Sequence, residues 1–196
     1  MTSLLRLVAC IGLFICLSRA GDLPRLDMKA ASEQFLKLRL AYAEAPNFAG
    51  DWVHDPAREA MLKLYDTDPK EFVSKSGQWL KTCPVDAKVH LMRAGLLLKA
   101  GDTEGHFYHR LMYYGLTASI VASGDGKTVK TAYKVISVEE EYTVMNHIGA
   151  KLTTQTLQYP CDVMQVDIEG TPATLYFDVS IPMTAEQRQL NQKKSK

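Results

Sequence analysis

The acidic residues that could take part in acid/base chemistry flank one predicted strand in the middle of the chain. Asp125 lies in the turn before that strand, and Glu139, Glu140 and Glu141 follow it. A strand of about eight residues is some 26 Å long, so these carboxylates cannot form an acid/base pair across it and could meet only through other parts of the fold. The simpler interpretation is a turn aspartate and a glutamate run that favours the positive end of a helix.

Histidines are the other residues that could take part in catalysis or bind a metal. His106 and His109 lie three residues apart on one predicted helix, and His90 lies on its predicted hairpin partner, roughly 6 Å off the level of His109. A shared metal site is geometrically allowed there, but packed or surface histidines are the commoner outcome. The sequence therefore predicts no metal and no cofactor. The candidate catalytic residues are Asp125, His106, His109, Glu140 and Glu141.

A run that resembles part of a phosphate-binding loop follows Asp125. Gly126, Lys127 and Thr128 match the last three positions of a P-loop. That loop also needs a glycine five residues before Gly126, where this chain has Val121, and a preceding strand, where this chain has a helical pattern. A P-loop nucleotide site is therefore excluded.

The helical half is predicted over residues 26–123. Asp55 before Pro56, and Asp68 before Pro69, each predict an N-cap with proline in the first helical turn. Apolar spacing and these caps predict helices over 26–44, 56–65, 69–81, 86–99 and 102–123.

The last two of these helices are expected to form an antiparallel hairpin. Gly124 is expected to end the second of these helices as a residue in the left-handed conformation. The stretch 79–109 has a loose similarity to a tetratricopeptide unit, but no second copy occurs at a fixed period. Packed helix pairs without a repeat are therefore predicted.

Strand patterns dominate after residue 127. Branched and aromatic residues with period-two alternation predict strands over 131–138, 152–158, 161–168 and 173–180. We therefore predict an α+β fold in which helical hairpins pack on a small, mostly antiparallel sheet. The β half spans about 127–181, the single domain spans 21–183, and a polar, basic tail with a short helix spans 184–196.

Residues 1–20 have the features of a cleaved export signal. Arg6 precedes an uncharged apolar run at 7–17, and small residues occupy the third and first positions before the expected cleavage site. An apolar run of about 11 residues is too short to span a bilayer. We therefore expect a periplasmic or secreted protein with no membrane span after cleavage. A lipoprotein is less favoured, because no small residue precedes Cys16.

Cleavage would leave a nearly neutral chain. It removes Arg6 and Arg19 and no acidic residue, so basic residues fall from 23 to 21 against 22 acidic residues, and the net charge falls from +1 to −1. Such a chain lacks the excess positive charge that is typical of proteins that bind nucleic acid or an anionic membrane.

Two cysteines remain after cleavage, one in each half of the chain. A bridge between Cys83 and Cys161 would close a loop of 78 residues. In an oxidising compartment it would contribute about 4 kcal/mol by the loop-entropy model. The alternative is that each cysteine packs as a small apolar residue.

Several short runs in the second half of the chain match the hallmarks of a known family. They are SGDG at 123–126, TAY at 131–133, VI at 135–136, EEY at 140–142 and YFDVS at 176–180. This pattern resembles an exported bacterial domain-of-unknown-function family, family 4919, over about 36–180. The resemblance implies a periplasmic or secreted single domain, and the family carries no assigned activity to transfer.

No motif fixes a reaction, so the hypotheses come from different classes. The favoured one is a non-enzymatic exported domain whose helical hairpins bind a protein or cell-envelope partner, which requires an exposed apolar patch or groove on the helices. The alternative is a hydrolase-like enzyme with its site at the helix-to-strand junction around 123–128, which requires Asp125 to lie in a cleft. A small-ligand or metal carrier is the third.

Overall fold

The computed structural model describes residues 28–45, 48, 50 and 52–194. The expected export signal lies outside these residues. The helices are α1 (Met28–Ala43), α2 (Pro56–Thr67), α3 (Pro69–Thr82), α4 (Ala87–Lys99), α5 (Thr103–Val121), α6 (Val138–His147) and α7 (Ser180–Lys194). The strands are β1 (Tyr133–Lys134), β2 (Ala150–Gln158), β3 (Cys161–Ile168) and β4 (Thr171–Asp178). The α+β prediction is confirmed.

Aspartate caps begin four consecutive helices. The side chains of Asp55, Asp68, Asp86 and Asp102 each accept a hydrogen bond from a backbone N–H in the first turn of α2, α3, α4 and α5. These bonds satisfy donors that the helix itself leaves unpaired. The predicted starts of these helices are therefore correct to within a residue.

The helices pack in sequence into two apolar clusters. Helices α2, α3 and α4 share a core around Met61, Phe72, Val89 and Leu96. Helix α1 packs on α5 in the second cluster, which contains Phe35, Leu38, Trp52, Val85, Met112, Leu116 and Ile136. The antiparallel hairpin of α4 and α5 belongs to both clusters, so it forms the centre of the helical half.

The four strands form one sheet in the order β1-β4-β3-β2. Strand β1 is parallel to β4, and the other two pairings are antiparallel. One face of the sheet packs on α5 and α6 through a cluster that includes Ile120, Val144, Met164 and Phe177. Strand β2 lies at the edge, and all its residues except Ala150 are exposed. Its register with β3 is irregular between Leu152 and Thr154.

The strand predicted over 131–138 is wrong in length. Only Tyr133 and Lys134 pair in the sheet, and residues 129–131 form a 3-10 turn instead. The apolar residues Val135 and Ile136 are buried without extending the strand. The backbone N–H of Ile136 donates to the Glu140 carboxylate at 2.8 Å. A side chain from α6 therefore takes the place of a neighbouring strand.

Gly124 is not the left-handed residue that the sequence predicted. Helix α5 ends with Ala122 in the right-handed region, and the positive φ falls at Gly126 (67°). A Cβ at Gly124 would collide with the carbonyl oxygens of Thr131 and Ala132. Glycine at 124 is therefore required by close backbone approach, while Gly126 supplies the turn conformation.

Candidate functional site

The three consecutive glutamates form the first turn of α6, as predicted, but they are not solvated. Glu139, Glu140 and Glu141 are all buried. Burying an ionised carboxylate costs free energy unless it is paired. Each of the three glutamates must therefore be paired by a neighbouring element or be neutral.

Glu140 forms a bidentate ion pair with Arg39 of α1. Arg39 Nε lies 2.7 Å from Glu140 Oε1, and Arg39 Nη2 lies 2.5 Å from Oε2. The same guanidinium donates to the Lys134 carbonyl oxygen at 2.8 Å and to Ser119 Oγ at 3.3 Å. Arg39 is 1 % exposed. Both charges are therefore compensated within a junction of α1, α5, α6 and the sheet.

Glu139 joins a second buried cluster around Arg58 of α2. Arg58 Nη2 lies 2.9 Å from Glu139 Oε2, and the guanidinium contacts both carboxylate oxygens of Asp86 at 2.6 and 3.2 Å. Asp86 also caps α4 and accepts a hydrogen bond from Trp79 Nε1 at 2.9 Å. Burial raises the pKa of Glu139, although the neighbouring Arg58 and Lys88 oppose that shift.

Glu141 is the exception among the three glutamates. Neither of its carboxyl oxygens has a hydrogen-bond partner among the described residues. Burial, together with the negative charges of Asp162 and Glu140, raises its pKa to about 9. Glu141 is therefore a neutral carboxylic acid at pH 7, which avoids an uncompensated buried charge.

A directed chain of hydrogen bonds joins the two helices of the hairpin. Arg93 Nε donates to His109 Nε2 at 2.8 Å, which leaves the hydrogen of a neutral His109 on Nδ1. That nitrogen lies 2.8 Å from His90 Nδ1, and His90 Nε2 lies 3.1 Å from the Pro84 carbonyl oxygen. Burial lowers the pKa of His90 to about 4, and burial with the nearby His90 and Arg93 lowers that of His109 to about 3.

The remaining candidate residues lie apart from these clusters. His106 Nδ1 lies 2.9 Å from the Ala94 carbonyl oxygen of α4, so it also links the hairpin. Asp125 is exposed, and its side chain accepts from the Lys127 N–H in its own turn. The hydroxyl of Ser123 donates to the Ile120 carbonyl oxygen at 2.6 Å and accepts from the Lys134 N–H at 2.8 Å. The structure thus places His90 within hydrogen-bonding distance of His109, but it does not gather the candidate catalytic residues into one site.

The candidate disulfide between Cys83 and Cys161 is not formed in the structure. Both cysteines are free and buried, Cys83 in the cluster of α1 and α5, and Cys161 in a small cluster behind the sheet with Ala132 and Val163. Burial raises the pKa of both thiols. Each cysteine therefore packs as a small apolar residue, the alternative that the sequence allowed.

Arg39, Arg58 and Asp86 are central to the buried clusters, a role that the sequence did not predict for any of them. A local signal exists for the first, because Arg39 lies four residues after Phe35 and three before Tyr42, on the apolar side of α1. Asp86 was predicted only as the start of a helix. The sequence gives no sign that its cap would also pair with an arginine 28 residues earlier.

The structure offers no ready metal centre or membrane helix within the part of the chain that it describes. No group of three or more His, Cys, Asp or Glu side chains there could hold a metal ion. No helix in the same part is long and apolar enough to cross a bilayer.

The exposed outer surface of the α4–α5 hairpin is the second distinctive site, which we call the hairpin face. Leu91 and Leu98 lie on α4 and are 40 % and 52 % exposed, while Phe107 and Tyr114 lie on α5 and are 66 % and 41 % exposed. The members of each pair are seven residues apart, which is about two turns, so each pair forms a row along its helix.

The two rows lie on the same surface of the hairpin. Helix α4 buries Val89 and Leu96 against α2 and α3, and α5 buries Met112 and Leu116 against α1. Because the helices are antiparallel and bury the same side of the hairpin, their exposed rows both lie on the opposite side. Arg110 lies between the rows, where its guanidinium donates to the Tyr114 hydroxyl at 2.6 Å.

Comparison with known proteins gives a family and no function. A family model described as Domain of unknown function (DUF4919) matches residues 25–188. Searches of curated proteins and of solved structures found no match to the chain. The match covers far more than half of the chain and includes the buried glutamates, both buried arginines and the hairpin face. The protein therefore belongs to the family of the Domain of unknown function DUF4919.

Proposed function

We propose that the chain is an exported, non-enzymatic interaction module that binds a protein partner on the hairpin face. The observation that carries this proposal is the exposure of Leu91, Leu98, Phe107 and Tyr114 in two adjacent rows. Single exposed apolar residues are ordinary on protein surfaces, whereas a contiguous patch of large ones is typical of a binding surface.

The composition of the hairpin face also fits a protein interface. Aromatic side chains and arginine are enriched among the residues that dominate binding energy. Arg110 lies 4.9 Å from the centroid of the Tyr114 ring and also bonds its hydroxyl. This contact holds both side chains in place before a partner arrives, so less conformational entropy is lost on binding.

The buried charges support a structural role for the core. Arg39, Arg58, Glu139 and Glu140 are paired with one another or with Asp86, and each pair lies inside the packed interior. A groove of about 590 Å³ between α2, α3 and α4 is lined by residues such as Tyr65, Val73 and Leu96. None of the candidate catalytic residues lines it. The export signal predicted from residues 1–20 gives the module its expected compartment, the periplasm or the exterior.

The proposal is tested with acidic substitutions on the hairpin face. Phe107→Glu and Leu98→Glu should abolish a complex that wild type forms, because a charge would be buried at the contact. Leu157→Glu on β2 is the matched control, since Leu157 is 55 % exposed and lies outside the hairpin. The partner is trapped from the native cell with a photo-crosslinking residue at position 107, and the complex is then rebuilt from two purified proteins.

The affinity of the rebuilt complex decides the outcome. Binding that survives in wild type and Leu157→Glu, but falls at least about tenfold in both hairpin-face variants, supports the proposal. Equal binding by all four proteins would refute it. Thermal melting of each variant, which should match wild type, confirms that the fold is intact.

A further inference from the structure

Arg93 of α4 differs from the two buried arginines in what surrounds its charge. Arg39 and Arg58 are each paired with buried carboxylates. Arg93 is half-buried where α3 packs on the hairpin, and within the part of the chain that the structure describes it bonds no carboxylate. A cation that leaves water costs free energy unless an anion compensates it. The protein therefore leaves the charge of Arg93 uncompensated.

Neutral groups hold the guanidinium of Arg93 in a fixed orientation. Its Nε donates to His109 Nε2 at 2.8 Å, and its Nη1 donates to Ser76 Oγ at 2.8 Å and to the Val73 carbonyl oxygen. A guanidinium has five N–H donors, so these three bonds leave both donors of Nη2 without a partner among the described residues. Because Arg93 stays partly exposed, a ligand can reach these two donors.

The pKa values of Arg58 and Arg93 reflect the different surroundings. Burial acts to lower the pKa of Arg58, but the carboxylates of Asp86 and Glu139 outweigh it, so that the pKa is raised. Burial lowers the pKa of Arg93, and the attraction of Asp102 does not reverse this shift. An anion beside Nη2 would stabilise the charged form of Arg93 as the two carboxylates stabilise that of Arg58.

Gly77 of α3 leaves room beside the open side of the guanidinium. A Cβ at this position would lie 3.3 Å from Arg93 Nη2 and 3.4 Å from Nη1, which is tighter than an ordinary contact. Glycine destabilises a helix interior relative to alanine, and Gly77 lies inside α3 without a positive φ that would require it. Its role is therefore steric, since it lets the guanidinium approach α3 and keeps Nη2 uncrowded.

A second cation lies on the same side of α3. Lys81 follows Gly77 by four residues, which places it one turn further along the same face of the helix. Lys81 is exposed and forms no ion pair within the described ranges, whereas Lys75 of the same helix lies 3.4 Å from Glu71. Two neighbouring cations without acidic partners attract a negatively charged ligand.

We propose that Arg93 and Lys81 form a binding site for an oxyanion, a phosphate or carboxylate group, at the junction of α3 with the α4–α5 hairpin. The oxyanion accepts hydrogen bonds from the two free donors of Arg93 Nη2, and the ammonium of Lys81 supplies the second positive charge. The guanidinium is already held in place, so little side-chain entropy is lost on binding. Two cations favour a phosphate dianion over a carboxylate, because the Coulomb attraction grows with the charge of the ligand.

Inorganic phosphate and acetate are the probes for this site. Each is added to the full chain at pH 7 in a zwitterionic buffer, with sodium chloride adjusted to keep the ionic strength constant. NMR follows the Arg93 Nε–H and the backbone amide of Gly77. Phosphate should shift both signals in a saturable way with a Kd in the millimolar range, and acetate should bind more weakly.

Matched variants locate the bound ion. Arg93→Met should weaken phosphate binding at least about tenfold, and Lys81→Met at least about threefold. Gly77→Ala should also weaken it, because the new Cβ crowds Nη2. Lys75→Met on the same helix is the control and should bind as wild type does. Arg93→Met also loses the bonds to α3 and α5, so Lys81→Met and Gly77→Ala carry the test if that variant does not fold.

The outcomes of the titration are distinct. Saturation by phosphate, or by acetate alone, that weakens in Lys81→Met and Gly77→Ala supports the site and identifies the group that it takes. Binding that is as tight in these two variants as in wild type would show an adventitious ion only and overturn the inference. The absence of a saturable shift with either probe would overturn it as well.

Discussion

Three identical neighbours in this chain have three different environments. Glu139 pairs with Arg58, Glu140 pairs with Arg39, and Glu141 has no partner among the described residues. The sequence correctly predicted that they begin a helix, because acidic residues in a first turn are a local signal. It could not predict their burial, since the two arginines lie 81 and 101 residues away along the chain.

Glu141→Gln should stabilise the folded protein at neutral and alkaline pH. The folded pKa of about 9 lies above the ordinary value of about 4.3 for an unfolded glutamate. Between these values the folded state binds more protons, so wild-type stability falls as pH rises. Glutamine removes that titration, and the free energy of unfolding at pH 8 should rise by roughly 2 to 4 kcal/mol.

Urea unfolding of wild type and Glu141→Gln at pH 5, 7 and 9 checks this expectation. The two curves should converge near pH 5 and separate as pH rises. Glu104→Gln, a change at an exposed position in the first turn of α5, is the matched control and should follow wild type. Parallel behaviour of Glu141→Gln and wild type would show that the carboxyl is ionised in the fold.

Removing one member of the Arg39–Glu140 pair should be strongly destabilising. Arg39→Met leaves the Glu140 carboxylate buried without its cation, which typically costs about 3 to 5 kcal/mol. Adding Glu140→Leu removes the orphaned charge, so the double variant should be more stable than the sum of the single effects. A double-mutant cycle by chemical denaturation measures this coupling, with exposed Arg188→Met as the control. Strict additivity would contradict a direct pair.

At the level of elements, capping and spacing predicted the helices well because these signals are local. The four aspartate caps and two following prolines lie within a few residues of the helices they start. Strand β1 was predicted too long because strand pairing depends on distant parts of the chain and not on local signals. The consecutive apolar residues Val135 and Ile136 are both buried, but the Ile136 N–H is satisfied by a side chain and not by a strand. Apolar residue type predicts burial there and not the identity of the hydrogen-bond partner.

The hairpin should weaken in acid. The pKa values of His90 and His109, about 4 and 3, lie below the ordinary value of about 6.5, so the unfolded state binds more protons once pH falls below 6.5. Stability should therefore fall as pH drops from about 6.5 and keep falling until both histidines are protonated in the fold. A proton on His109 Nε2 would also oppose the donor from Arg93.

Thermal melts between pH 7 and pH 4 measure this loss. They are made in the Glu141→Gln background, because Glu141 has the opposite pH dependence. NMR of the imidazole nitrogens should show His90 and His109 neutral at pH 5.5. The exposed His147→Gln variant is the control and should keep the same acid slope. Protonated imidazoles at pH 5.5 in the folded protein would contradict the chain of hydrogen bonds.

Considered as a whole molecule, the helical and β halves are joined at the first turn of α6. Arg39 connects α1 to α6 and to the Lys134 carbonyl oxygen of β1, and Arg58 connects α2 to α6 and to the start of α4. The α+β class followed from the order of sequence patterns, whereas this junction depends on contacts between distant segments. That difference explains why the architecture was predictable and the buried clusters were not.

The two halves should unfold together. Hydrogen exchange of α4 and β3 should give the same opening free energy in wild type, because the buried ion pairs couple the halves. Replacing both Arg39 and Arg58 by methionine should make the two values differ. Arg188→Met is again the control. Different opening energies in wild type would show that the halves are independent.

The neutral Glu141 gives the folded molecule a charge that the composition does not predict. The formal value of +1 counts every acidic residue as ionised, so the folded chain at pH 7 is one unit more positive than that count. Glu141→Gln removes an acidic residue from the count but no charge from the folded protein. The variant and wild type should therefore migrate together in native electrophoresis at pH 7. They should focus at different pH values when isoelectric focusing is performed in urea, because the unfolded wild type carries one more negative charge.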